Sequence, residues 1–246
     1  MAVGMAAGMI TIMVIMRPRR MTDTADLCNL RLWQLLSPSL PVGAYAYSAG
    51  LETAIEQRWV DSESSLVDWV SGQLYNGLAG LDLPILSRLH QAWTLNDRAV
   101  VNAWTMRLLA ARETAELRAE DIHIGRALMR LLGELGLPEA VAFDRETDVT
   151  WASAYALATT HWHIDARSAA LGYAWAWSEN QVAAAVKLIP LGQSAGQRAL
   201  LRIAGAIPEV VSMAETVDDA SIGATTPGIS LASGWHETQY TRLFRS

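Results

Sequence analysis

The sequence predicts an all-α fold: a single-domain multi-helix bundle with a flexible C-terminal docking tail. Beyond residue 21 apolar residues recur at helical spacing, as in Leu66, Val70, Leu74 and Leu78, or Val100, Val101, Trp104 and Leu108. Period-two alternation hardly occurs. Aspartate, proline and glycine fall between the periodic stretches, where helices start and stop. With 51% hydrophobic and 18% charged residues, the chain has enough apolar surface to fold and is not disordered.

Taken in order, the first segment is an apolar run from Met1 to Met16 that ends in Arg17-Pro18-Arg19-Arg20. A bilayer core requires about 20 apolar residues, and a secretory signal places its positive charges before the apolar stretch. Residues 1–21 therefore read as an upstream extension without stable membrane insertion, with Met21 as the functional start. A main domain over 22–216 and a linker with tail over 217–246 follow. Between Leu35 and Glu52, Pro38, Pro41 and Gly43 fix an irregular turn. It places Tyr45 and Tyr47 on opposite sides of an extended segment, with Ser48 as a cap for the next helix.

Asp61, Asp97 and Asp165 are candidate N-caps, and Pro84, Pro138 and Pro208 mark starts or breaks, giving about eight or nine helices. Ser178-Glu179-Asn180-Gln181 interrupts an alanine-rich stretch from Asp165 to Ile189, and Pro190 with Gly192 then turns the chain. From Val217 to Ser230 the composition shifts to Asp, Ser, Gly, Thr and Pro, a linker composition. The final segment, Gly234 to Ser246, gathers Trp235, Tyr240, Leu243 and Phe244 with Arg242 and Arg245. These residue types dominate binding hot spots. The segment reads as a docking tail for a partner; its alternative is a tail folded back onto its own core.

Several chemistries are excluded or weakened by the same residues. A net charge of −6 argues against a nucleic-acid surface, and the single Cys28 provides neither an internal disulfide nor a thiolate zinc site. No P-loop is present, and Lys187, the only lysine, reads as a snorkelling residue at a helix end. Gly192-Gln193-Ser194-Ala195-Gly196 matches a nucleophile elbow, and Asp218 or Asp219 with His236 completes the hydrolase order. That elbow requires a strand before the serine, whereas Gln181 to Ile189 is helical in pattern. A serine hydrolase acting through Ser194 is the rival reading.

Glu120 and His123 share a helix face with Glu113 and Glu116, the spacing used in di-iron bundles, but such sites need the Glu-x-x-His pair twice. The stretch reads instead as a solvated or interface carboxylate face. His161 and His163 read as helix-end histidines, and no metal or cofactor is expected.

Four segments, in order, resemble the urease accessory protein UreF family. They are the Leu35–Glu52 turn, Arg112 to Glu120 with Gly125, Pro190 to Arg198, and His236 to Ser246. The resemblance spans roughly residues 27 to 246. It implies an all-α, cytoplasmic, non-enzymatic protein that forms a homodimer and uses no cofactor. By the same resemblance, the protein bridges UreD (UreH in some systems) and the GTPase UreG, and assists nickel delivery into the urease apoprotein. The partner-binding residues it implies are Tyr45, Tyr47, Ser48, Glu52, Gln197, Arg198, His236, Glu237, Tyr240, Arg242, Leu243, Phe244 and Arg245. Departures from the family pattern are the extension before Met21, Trp235 ahead of the His-Glu pair, and Thr241 where serine is more usual.

Overall fold

The computed structural model describes residues 23–143 and 147–246, so the apolar extension lies outside the described residues. Helices run in the order α1 (Asp23–Leu36), α2 (Leu51–Glu56), α3 (Glu63–Gln73), α4 (Asp82–Thr94), α5 (Arg98–Ala111) and α6 (Ala115–Glu134). They continue with α7 (Pro138–Val141), α8 (Trp151–His161), α9 (Ala166–Leu188), α10 (Gln193–Ala204), α11 (Ile207–Glu215) and α12 (Pro227–His236). No strand occurs among the described residues. The elements beyond the eight or nine expected are α2, α7 and α12, too short or too irregular in pattern for periodicity to reveal.

The core is built around α8. Every residue from Ala152 to Thr159 is buried, and four of them are alanines, small enough for α4 and α6 to close on either side. The approach of α6 is closest at Gly125. A β-carbon there would sit 2.3 Å from the Val149 carbonyl oxygen, so only glycine permits the crossing. Helix α9 carries α1, α2, α10 and α11 on its faces. Leu51, Leu66, Leu74, Leu86, Leu89, Leu108 and Leu128 are fully buried, each stabilising by about 1.5–3 kcal/mol.

Caps follow the sequence closely, with one shift. Asp97 and Asp165 accept from Val100 and Ser168 as anticipated, but α3 is capped by Ser62 and not Asp61. The Ser62 and Ser65 side chains form a reciprocal capping box, and Asp61 accepts from the Ser65 hydroxyl.

Two further expectations are corrected. Helix α9 runs unbroken through Ser178–Gln181, because these polar side chains are used inside the fold. Ser178 donates back to the Ala174 carbonyl, while Asn180 and Gln181 donate to the Tyr47 and Ser48 carbonyls. The segment read as a linker is fastened at several points. Asp219 pairs with Arg88, the Ile222 carbonyl accepts from Arg107, Gly223 donates to Gly80, and helix begins at Pro227.

Candidate functional site

Three of the four motif segments meet where the C-terminal tail crosses α6. The Leu35–Glu52 turn contributes first. Gly43 and Gly50 take φ of 77° and 81°, the left-handed region, and between them Ala44–Ala46 forms a single 3-10 turn where an extended segment was anticipated. The tyrosines nonetheless face opposite ways. Tyr45 is exposed, whereas Tyr47 is buried with its hydroxyl 2.8 Å from His123 Nδ1. Gly50 lets α12 lie directly on the turn, since a β-carbon there would stand 3.1 Å from the Ser233 nitrogen.

Helix α6 supplies the receiving face. Glu116, Glu120 and His123 recur every three or four positions and so project along one stripe, while Glu113 stands just ahead of the Thr114 N-cap. Each finds a partner in the tail region or the tyrosine turn. Glu113 accepts from Ser230, Glu116 meets His236 Nδ1 at 2.7 Å and Arg242 at 2.9 Å, and Glu120 accepts from the Ser246 hydroxyl at 2.6 Å. The pair that looked like half of a di-iron motif thus meets Ser246 through Glu120 and Tyr47 through His123.

Glu52 is the centre of the arrangement. Its buried carboxylate accepts the Leu243 N–H at 2.7 Å and the Phe244 N–H at 2.9 Å, and lies 3.2 Å from His236 Nε2. Ser48 donates through both its backbone N–H and its hydroxyl to the Ser246 carbonyl, and its hydroxyl also accepts from the Glu52 N–H. Arg245 donates its backbone N–H to the Ala46 carbonyl. Phe244 is buried with the Lys187 ammonium 5.5 Å from its ring centroid, and Tyr45 shares the same cation at 5.9 Å.

The tail is therefore folded onto its own domain through His236, Phe244 and Ser246. It leaves Trp235, Tyr240, Leu243 and the Arg242 and Arg245 side chains outward, with Tyr240 fully exposed. Glu237 is exposed at the end of α12. Gln197 and Arg198 stand elsewhere, on the outer face of α10, where Arg198 pairs with Glu63 at 2.7 Å.

Electrostatics beneath the tail are unusual. Arg112 bridges Asp82 at 2.5 Å and Asp121 at 2.8 Å; burial works to lower its guanidinium, but the two carboxylates together outweigh that and hold it well above the ordinary arginine value. Burial pushes Asp121 up despite that pairing. Burial also lifts Glu120 to about 7, with the Ser246 hydroxyl and Arg112 opposing the rise.

The hydrolase constellation is not assembled. Ser194 lies exposed in the first turn of α10, and the segment before it is α9, not a strand. Both nitrogens of His236 face carboxylates, and Asp219 is engaged by Arg88. His161 ends α8 with its Nδ1 3.6 Å from Glu139, an ordinary helix-end position.

Comparison with known proteins decides the family. The UreF family model matches residues 60–204, more than half of the chain. The chain belongs to the UreF family of urease accessory proteins. It is 51% identical over 220 residues to the urease accessory protein UreF of Alkalilimnicola ehrlichii, covering 89% of this chain and 96% of the relative. It is 47% identical to that of Hahella chejuensis, covering 89% and 99%, and 44% identical to that of Marinobacter nauticus, covering 90% and 95%. These relatives are named as accessory proteins and not as enzymes. Among the described residues, no helix is long and apolar enough to cross a membrane.

Sequence reasoning on this UreF-family chain missed Thr53, Gln239, Asn180 and Gln181. Thr53 donates to Gln239 at 2.8 Å, and the last two fix the tyrosine turn from α9. Their signal was the polar run inside an alanine-rich helix, which marks a buried polar contact as readily as a break.

Proposed function

We propose that this UreF-family chain is a scaffold of urease maturation: it holds the GTPase UreG beside UreD (UreH in some systems). GTP-linked release of nickel then occurs next to the urease apoprotein and not into solution. The protein works as a cytoplasmic homodimer, with no catalytic chemistry of its own. The observation that carries this reading is the division of labour in the tail. One set of residues locks it to the tyrosine turn and α6, while Trp235, Tyr240 and Leu243 offer apolar surface outward. Side chains already exposed cost nothing to the free protein when they are buried by a partner, and each contributes about 1.5–3 kcal/mol on full burial. Arg242 and Arg245 add charge-assisted orientation at the rim.

The test is calorimetric titration of UreD against the Tyr240→Ala, Leu243→Ala double variant. Because both side chains face solvent, the variant keeps its melting temperature. Its affinity for UreD falls by about 100-fold or more, the equivalent of about 3 kcal/mol. Unchanged affinity would remove the tail from the interface.

A further inference from the structure

His236 is completely buried where α12 packs on α2 and α6, and its ring has a carboxylate at each end. Nδ1 lies 2.7 Å from Glu116 of α6, and Nε2 lies 3.2 Å from Glu52 of α2. A neutral imidazole carries one N–H, so it satisfies one of these oxygens and turns a lone pair on the other; only the imidazolium donates at both ends. The proton belongs to the ring and not to the carboxyls, because every other contact of theirs favours the ionised form. Both Glu52 oxygens accept backbone N–H groups, from Leu243 and Phe244, and the second Glu116 oxygen accepts from Arg242 of the tail. Charge gives the same answer. Two carboxylates against His236 and Arg242 balance with the ring protonated and leave one uncompensated negative charge without it. The other charged groups close by do not make up the difference. Glu113, just ahead of α6, is engaged by Ser230; Glu120, one turn beyond Glu116, is engaged by Ser246; Glu237 is exposed; and Lys187 of α9 lies on the Phe244 ring.

We propose that His236 is a proton-operated latch for the C-terminal segment: the protonated ring ties α12 and the tail to α2 and α6, and loss of one proton sets them free. Deprotonation leaves a lone pair against a carboxylate inside the fold, and outward movement of the segment relieves it by admitting water. Glu120 acts in the same direction. Burial lifts it to about 7, so as pH rises through that value a further negative charge forms under the Ser246 contact, one turn from Glu116. Leu231, Trp235, Tyr240 and Leu243 ride exposed on the latched segment, so the proton decides whether they stand as one surface or as a loose chain. The device is a property of the free chain and does not depend on which partner the tail meets.

The experiment follows the ring and the tail of the full chain together from pH 6 to pH 9. Nitrogen-15 NMR of labelled histidine reads the ring, with the His236 signals assigned by their absence from His236→Gln, and hydrogen exchange reads the Leu243 and Phe244 amides. At pH 6 the ring gives the signals of an imidazolium and both amides are protected. As the ring loses its proton, protection corrected for intrinsic exchange falls at least tenfold over the same interval. Glu120→Gln, which silences the second titrating group, keeps that fall; adding His236→Gln to it leaves protection independent of pH. A neutral ring with both amides still protected overturns the latch, and so does a fall in protection that survives His236→Gln in the Glu120→Gln background.

Discussion

Replacing Glu52 by alanine removes the acceptor on which the tail turns. The carboxylate takes two backbone N–H groups, from Leu243 and Phe244, and lies against His236. Hydrogen bonds to a charged group contribute about 1.5–3 kcal/mol each, so three stranded donors would cost at most about 9 kcal/mol. The chain escapes most of that by releasing the tail and rehydrating its amides, which caps the loss at the docking free energy of the segment. That docking gains about 1.5–3 kcal/mol from Phe244 and about 1 kcal/mol from each Ser246 contact, partly offset by the entropy of ordering. The expected loss is about 2–4 kcal/mol, a fall in melting temperature of roughly 5–15 °C for a chain of this size. Calorimetry measures the shift, and hydrogen exchange at the Leu243 and Phe244 amides locates it. A melting temperature within a degree of the parent, with both amides still protected, would refute the placement of Glu52 at the centre.

Glu120 makes stability depend on pH in a defined direction. Its folded value is raised from 4.5 to about 7, so the protonated form favours the fold; its contribution is full below about pH 4.5 and fades as pH rises through about 7. Glu120→Gln removes that loss and is more stable than the parent at pH 8, on the order of 1–2 kcal/mol, with no advantage at pH 4; equal pH profiles in denaturant titrations would contradict the burial of this carboxyl. Gly43→Val meets no atom within 4 Å but forces a β-branched residue to a φ of 77°, costing about 1–3 kcal/mol in chemical denaturation. Ser194→Ala changes stability by less than about 0.5 kcal/mol, and an esterase activity lost with it would revive the hydrolase.

Long helices were legible because amphipathic spacing and caps are local. Asp97 and Asp165 cap from their own residues, whereas α9 read as interrupted at Ser178–Gln181 because the carbonyls that answer those polar side chains lie on a distant loop. The site was legible only in its parts. The tyrosine turn and the tail each declared unusual composition, but that Glu52 would join them is a relation across 191 residues with no local sign. The same holds for Asn180 and Gln181, whose polarity answers carbonyls on a distant loop. Tail composition alone left its two readings open, because the residues that anchor a segment internally and those that anchor a partner are of the same kinds. Exposure separated Phe244 from Tyr240.

Trp235, the departure from the family pattern, stands with its ring centroid 5.5 Å from Trp59, which in turn lies 6.2 Å from Trp69. Indoles this close, tilted by 55° and 38°, couple their excited states, and coupled indoles give a split circular-dichroism band that isolated ones lack. Trp235 belongs to α12, while Trp69 belongs to α3 and Trp59 to the loop before it. The chain thus carries an internal optical gauge: a weakened band would report the lifting of α12 in real time, without an attached dye, as a partner is added.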